Sequence, residues 1–429
     1  MAEIITKPRG TIDYLNENKV FLDYILNFLD EKAIAFGAKK IDVPLFENGK
    51  LFTRGVGEST DIVTKEMFHL ENKGEQDYIL RPEFTASINR AVIENKQYAS
   101  PDLPLKYCYH GPVFRYERPQ AGRYRQFNQF GIEFLDAKID FQTQLDALLL
   151  FYNAASELLN HNLLLKINFL GDFSSRERYK KVLKDFYKDK ISTMCEDCKR
   201  RYEINPLRIL DCKIDHDIEI NKDAPKLSDY ISEEEKELYQ NVLKVLDNLG
   251  INYIEDPKLV RGLDYYTGLV FELYDPFSME LGAIGGGGQY DNLMKELGNI
   301  DFEGIGFSYG VERLLLSLSD DVKKDILDKV NYRYDYFIID LRSKKDIKPV
   351  LLSYRLREDG FKINSSSYSK ALNGSLKMAD RQRSKYVLIF DDYNENKVIV
   401  KNMKERTQEI LDCRDIVSLV NTLKKEQLC

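Results

Sequence analysis

Four consecutive glycines, Gly285 to Gly288 in "AIGGGGQYDNL", constrain this chain more than any other short stretch. They stand among β-like segments, where glycine weakens a strand by about 0.5–1 kcal/mol relative to alanine. Such a run fits a place where backbone comes close to something; a tight sheet bulge is the plainer alternative. A phosphate loop is poorly supported, because no GK[ST] follows and the GxGxxG pattern is absent.

The flanking segments set this run in a mixed fold. "LVRGLDYYTGLVFELYD" before it has β character, and "GIGFSYGVERLLLSL" after it switches from strand to helix near Gly310. Upstream, residues 17–36 carry apolar groups at helical spacing, and "AKKIDVPLFEN" reads as a short strand broken at Pro44. "DYILRPEF", "LPLKYCYHGPVFRYE" and "GRYRQFNQFGIEFLD" read as β segments, and "DFQTQLDALLLFYNAASELLNH" as a helix with a broad apolar face. Residues 172–258 are helix-rich and charged, and "SEEEKELYQNVLKVLDNLG" ends at a C-cap-like Gly250. After "SDDVKKDILDKVNYRYD", short strand patterns alternate with helical ones and predict a separate small α/β domain. A length of 429 residues agrees with two to three domains.

Charge is distributed unevenly. The formal net charge is −7, yet Arg115, Arg118, Arg123 and Arg125 crowd into residues 111–134. On a strand, period two would set Arg123 and Arg125 on one face and Tyr124 and Gln126 on the other. Guanidinium suits forked contact with phosphate and stacking on a purine. A solvated hairpin with Arg–Glu pairs accounts for the same residues equally well. Arg261, Asp264, Tyr265 and Tyr266 lie between glycines, as an edge charge or as a pocket. Arg313, in the first turn of its predicted helix, opposes the helix dipole unless an anion or a carboxylate sits beside it.

Hydrophobic content of 43% and charged content of 31% are ordinary for a globular protein. No apolar run reaches the ~18 residues of a membrane span, so a cytoplasmic protein is expected. Six cysteines do not make a secreted disulfide framework. None of the four histidines, His69, His110, His161 and His216, sits in an HExxH or GxSxG setting, which argues against zinc hydrolysis and Ser/His acyl transfer. Cys195, Cys198, Cys212 and His216 have spacing compatible with structural Zn²⁺, but reduced cysteines in a helical insertion are the favoured reading.

Taken in order, these segments resemble the class II aminoacyl-tRNA synthetases. The arginine stretch is similar to motif 2, "GIGFSYGVERLLL" to motif 3, and Pro44 in "IDVPLFE" fits motif 1. "LVRGLDYYTGLVFEL" and "GGGGQYDNL", with "RGTIDYL", "GESTDIVTKEMF", "RPEFTAS" and "NPLRILDCK", narrow the resemblance to the histidyl-tRNA synthetases, from about residue 8 to the C-terminus. The resemblance implies an α+β fold. A catalytic domain on an antiparallel sheet would occupy residues 1–171 and 259–325, a helical insertion 172–258, and an α/β anticodon-binding domain 334–429.

It further implies ATP-dependent ligation of L-histidine to tRNA(His) through histidyl-adenylate. Mg²⁺ would bridge the ATP phosphates, and motif 1 would form a homodimer interface; no membrane and no resident metal are implied. Carried over by residue, the resemblance makes Arg115 and Arg261 the expected catalytic residues. Arg115 would hold the α-phosphate, Arg313 the γ-phosphate, and Glu117 and Arg123 would complete the ATP site. Arg261 would reach the α-phosphate and the substrate carboxylate. Glu83, Thr85 and Gln129 would take the amino group, Glu133 and Tyr266 the imidazole nitrogens, with Tyr265 beside them. Phe84 and Gln289 depart from the family pattern, where a small residue and an arginine are common. A non-catalytic regulatory subunit of ATP phosphoribosyltransferase shares the resemblance. Such subunits typically lack the C-terminal domain and have eroded arginines, whereas Arg115, Arg261, Arg313 and residues 334–429 are all present here.

Overall fold

The computed structural model describes residues 4–426 except 58–59, 72–73, 75, 211, 213, 261, 331–333, 344–345, 367–370 and 394. Two compact units divide the chain, Met1–Ile326 and Leu327–Cys429.

The first unit is built on an eight-stranded sheet. Across it run Lys39–Lys40, Leu105–Phe114, Gln126–Asp136, Glu303–Gly310, Gly285–Tyr290, Thr267–Tyr274, Leu164–Phe169 and Tyr253–Glu255. The inner pairings are antiparallel; only the two outermost are parallel. The break at Pro44 is real: Lys39–Lys40 joins this sheet, whereas Phe46–Asn48 pairs with Tyr78–Leu80 in a separate three-stranded one.

Period two divides the sheet into unlike faces. Ile132 pairs with Phe307, and Phe307 with Gly287, on one face; Glu133 pairs with Gly306, and Gly306 with Gly288, on the other. The first face is the core. There the helix Phe141–Leu159, capped by Asp140 accepting from Thr143 N at 2.8 Å, lays down Leu148, Phe151 and Ala155. The Phe151 ring stands 5.1 Å from each of Phe271, Phe307 and Tyr309, and Tyr309 Oη donates to the Phe151 carbonyl. Helix Glu17–Ala35 packs beside it through Phe21, Ile25 and Leu29.

The glycine run forms a central strand, with an irregular register between Gly288 and Gln289. Both of its faces are crowded. A Cβ on Gly285 would stand 2.9 Å from the Phe151 ring, and one on Gly288 2.9 Å from the Tyr266 ring. Close approach of aromatic rings from opposite sides accounts for Gly285 and Gly288, and the Gly306 carbonyl, 2.2 Å from where a Cβ on Gly287 would stand, accounts for a third.

Residues 172–258 contribute helices Phe173–Tyr187, Glu196–Ile204, Asp215–Asn221 and Glu233–Asn248. The last opens on a capping box between Ser232 and Glu235, and Gly250 takes φ +66° just beyond its end. The segment then returns to the main sheet as Tyr253–Glu255.

The second unit has a five-stranded sheet ordered Ile363–Ser365, Tyr336–Asp340, Tyr386–Phe390, Lys397–Asn402, Gln408–Asp412. The first three strands are parallel and the last two antiparallel. Leu352, Leu356, Leu419 and Leu423 pack on one side of it, with Leu376 and Ala379 on the other. The strand Gln408–Asp412 has no counterpart in the sequence reading: its side chains are largely exposed, so it lacks an apolar alternation.

Candidate active site

The cleft-facing side of the large sheet is short of bulk. Gly131, Gly306, Ser308 and Gly310 occupy it, and above them opens a cleft of about 220 Å³. Two of these glycines are required by contact. A Cβ on Gly306 would lie 2.0 Å from Glu133 Oε2, and one on Gly131 2.3 Å from Tyr109 Oη.

One end of the cleft is a buried polar pocket. Glu133, 1% exposed, accepts from Thr85 Oγ1 at 2.8 Å, Tyr109 Oη at 3.2 Å and Tyr290 Oη at 2.7 Å. Burial pushes its carboxyl up to about 7, with the neighbouring Glu83 charge adding and the hydroxyl donors opposing. Glu83 caps the helix Thr85–Glu94, accepting from Thr85 N at 2.7 Å and Ala86 N at 2.9 Å. Burial raises its pKa too, against the pull of those amides. Tyr265 and Tyr266 line the same end, and Tyr265 Oη is buried without a hydrogen-bond partner among the described residues. Gln129, 8% exposed, also lines the cleft and pairs with Gly310 across the sheet.

The other end is cationic. Arg115, Arg123 and Arg313 line it with Glu117. Arg115 Nε donates to the Pro82 carbonyl at 2.9 Å, and its guanidinium lies 5.3 Å from the Phe127 ring centre. Arg313 Nε donates to the Gly122 carbonyl at 2.9 Å and Nη1 to that of Ala283. Burial pulls the Arg313 pKa down, and the like charges of Arg123 and Arg115 pull the same way. Two carbonyls accept from this guanidinium, and the Glu117 and Glu272 charges oppose the lowering, so the arginine sits in a cleft that holds both signs of charge.

Glu312, beside it, anchors the strand-to-helix switch. Its buried carboxylate accepts from Asn128 N at 2.8 Å and from Tyr14 Oη at 2.6 Å. The N-terminal segment is tied in a second time by Arg125 N, which donates to Gly10 O at 2.8 Å.

Most residues singled out in the sequence converge here: Glu83, Thr85, Arg115, Glu117, Arg123, Gln129, Glu133, Tyr265, Tyr266 and Arg313 all line one cleft. Arg261 lies outside the described residues. The reading of Arg123 and Arg125 as same-face strand residues is corrected, because the strand starts only at Gln126. Arg123 sits in the turn, 3.6 Å from Glu117, while Arg125 stacks on Tyr116 with its guanidinium 4.0 Å from the ring centre. The fourth member of the cysteine group is also corrected: His216 is exposed, and the buried side chain beside the sulfurs is Asp217. Asp217 stands one residue further along the same helix, Asp215–Asn221, and faces inward with Asn221.

The two departures are accommodated by packing. Phe84 stacks on Tyr109 at 4.5 Å and carries the Arg81 guanidinium on its other contact, 3.9 Å from the ring centre. Gln289 turns away from the cleft, accepting from Gln144 Nε2 at 2.8 Å and donating to Asp291 at 2.9 Å. Tyr109 and Tyr290 were missed. Tyr290 stood inside the quoted glycine segment, and its place two residues after Gly288 was the available signal.

Comparison with known proteins agrees with this geometry. The profile of the family described as Histidyl-tRNA synthetase matches residues 13–314. A histidine–tRNA ligase of Staphylococcus aureus (strain JH9) is 41% identical over 428 residues, covering 98% of this chain and 100% of its own. The crystal structure of apo S. aureus histidyl-tRNA synthetase superposes with a TM-score of 0.78 at 33% identity, covering 98% of this chain and all of that one. An ATP phosphoribosyltransferase regulatory subunit/histidyl-tRNA synthetase from Bacillus halodurans C shares the fold, with a TM-score of 0.64 at 19% identity, covering 91% of this chain and 99% of its own.

Proposed function

The chain belongs to the histidyl-tRNA synthetase family, and on that premise we propose how its cleft joins histidine to ATP and then to tRNA(His). The enzyme is an aminoacyl-tRNA ligase. The observation that carries the residue assignment is the polarity of one cleft, with three arginines at one end and buried carboxylates and phenols at the other.

In the first step the histidine carboxylate attacks the α-phosphate, pyrophosphate leaves, and charge builds on phosphoryl oxygens. Positioned cations stabilise that charge, and no general base is needed. Arg115 takes the α-phosphate, Arg313 the γ-phosphate, and Arg123, steered by Glu117, the triphosphate edge. Arg261 is assigned to the α-phosphate and the substrate carboxylate on the family resemblance. Glu83, Thr85 and Gln129 receive the ammonium group. Glu133 accepts the imidazole N–H while Tyr266 meets the other nitrogen, with Tyr265 alongside. An imidazole presents one donor and one acceptor, so a carboxylate and a phenol orient it. Mg²⁺ enters as part of the ATP substrate, and the cleft carboxylates Glu117 and Glu272 are oxygen donors suited to a hard cation.

Residues 334–429 are assigned to the anticodon. We place a homodimer contact at motif 1, where Leu45 and Phe46 beside Pro44 are 47% and 52% exposed. Among the described residues no helix is long and apolar enough to cross a membrane, in keeping with a cytoplasmic enzyme.

The test is histidine-dependent exchange of pyrophosphate into ATP, with and without tRNA(His). Wild-type protein exchanges; Arg261→Ala loses about 10²–10³ in rate with little change in folding stability. Histidine binding without exchange by the wild-type protein would overturn the catalytic assignment and favour the regulatory reading.

A further inference from the structure

We infer that the helical insertion holds a structural divalent metal ion, with zinc the best match, on Cys195, Cys198, Cys212 and Asp217. The ligand atoms of these four side chains all lie within 4.8 Å of one another. Cys198 is 0% exposed, Cys212 7% and Asp217 0%. Cys195 Sγ and Cys212 Sγ are 3.8 Å apart, and Cys212 Sγ is 3.2 Å from Asp217 Oδ2. A tetrahedral ion with Zn–S bonds of about 2.3 Å sets its sulfurs about 3.8 Å apart, so the observed sulfur–sulfur edge already has the length coordination needs. It is far too long for a disulfide, whose sulfurs stand about 2.05 Å apart.

The local sequence builds the site from two directions. Cys195 caps the helix Glu196–Ile204, and Cys198 N donates to Cys195 Sγ at 3.4 Å, the amide-to-sulfur contact that steadies a thiolate pair spaced C-x₂-C. The chain then turns through Pro206–Ile209 and returns with Cys212, and the helix Asp215–Asn221 brings Asp217. Asp217 also accepts from Cys195 N at 3.2 Å, fixing the carboxylate against the first cysteine. Three sulfurs and one oxygen, with Cys195 half-buried and the other three side chains buried, form a donor set that soft to borderline cations take in preference to magnesium or calcium. Four groups this close repel when ionised, and a dication bound among them neutralises them.

The ion would brace the cleft from behind. The same helix carries Arg200 and Arg201, each 3.3 Å from Asp61, and the turn after it carries Arg208, 3.5 Å from Asp61. Asn205 Nδ2 donates at 2.8 Å to Asp264, the residue before Tyr265. Fixing this helix therefore fixes the loop that presents Tyr265 and Tyr266.

Elemental analysis of the full-length protein, purified without chelator and reconstituted with zinc chloride, tests the inference. About one zinc per chain is expected, falling below about 0.2 in Asp217→Ala and in Cys212→Ser. Cobalt reconstitution of the wild-type chain supplies a readout that needs no variant: tetrahedral cobalt–thiolate absorption should appear and be displaced by zinc. Wild-type protein with under about 0.2 zinc after reconstitution and no cobalt spectrum would overturn the site. So would a Cys195–Cys212 disulfide found by peptide mass in freshly purified protein, or full zinc retention after replacing all three cysteines.

Discussion

The two faces of the large sheet use the same strands for opposite ends. On the core face Ile305, Phe307 and Tyr309 are shielded by Phe151 and its helix, and their value lies in filled volume. On the cleft face the alternate residues of that strand are Gly304, Gly306, Ser308 and Gly310, and their value lies in volume withheld. A period of two lets one strand carry both requirements without compromise, because a side chain added on either face leaves the other untouched. Folding stability should therefore respond to one face and chemistry to the other.

That separation can be broken by experiment. The largest effect is expected for Phe151→Ala, which should lower unfolding free energy by about 3–5 kcal/mol in chemical denaturation. Exchange activity per folded molecule should stay near wild type; a matching loss of activity would show that the faces are coupled. Arg115→Ala should do the reverse, with exchange falling about 10²–10³-fold and the unfolding midpoint nearly unmoved. Gly306→Ala should cost about 10²-fold in kcat/KM for histidine by displacing the Glu133 carboxylate. If histidine kinetics survive that methyl group, Glu133 does not read the substrate.

A finer test uses pH. Glu133 has its folded pKa raised to about 7 from an ordinary value of 4.5. Between those values the folded chain keeps a proton that the unfolded chain has released. Its contribution to stability is present at the acidic end of the window and is lost as pH rises through about 7. Glu133→Gln should flatten this part of the stability–pH curve, whereas Phe151→Ala should shift the curve without changing that slope. The smallest effect belongs to Arg118→Ala. This exposed arginine is not part of the cleft lining, and both stability and exchange should stay within about 0.5 kcal/mol of wild type.

What the sequence disclosed follows the range of each signal. The helices Glu17–Ala35, Phe141–Leu159 and Glu233–Asn248 were legible because apolar spacing, caps and Gly250 are all local. The cleft was legible through the ordered motifs and not through any residue alone: Arg115 and Arg313 are far apart in sequence and meet only through the register of the sheet. Tyr109 and Tyr290 escaped because a buried tyrosine bonded to Glu133 looks, in sequence, like any tyrosine of a β segment. Asp217 escaped in favour of His216 because a one-residue rotation on a helix, about 100°, decides which of two neighbours faces inward. The alternation in "GIGFSYG" was in plain view, but its meaning depends on which face the helix covers.

The hydrogen bond from Tyr14 to Glu312 joins residues 298 positions apart. During synthesis the N-terminal segment leaves the ribosome long before Glu312 exists, so its anchor is absent for most of translation. Arg125 offers Gly10 an earlier tether, yet the strand-to-helix turn that carries Arg313 comes last of all the parts of the cleft. The pocket therefore closes as a late event of high contact order, after the helical insertion between its two halves has been made. Any chain cut short before residue 312 would hold most of the sheet's residues and no finished cleft.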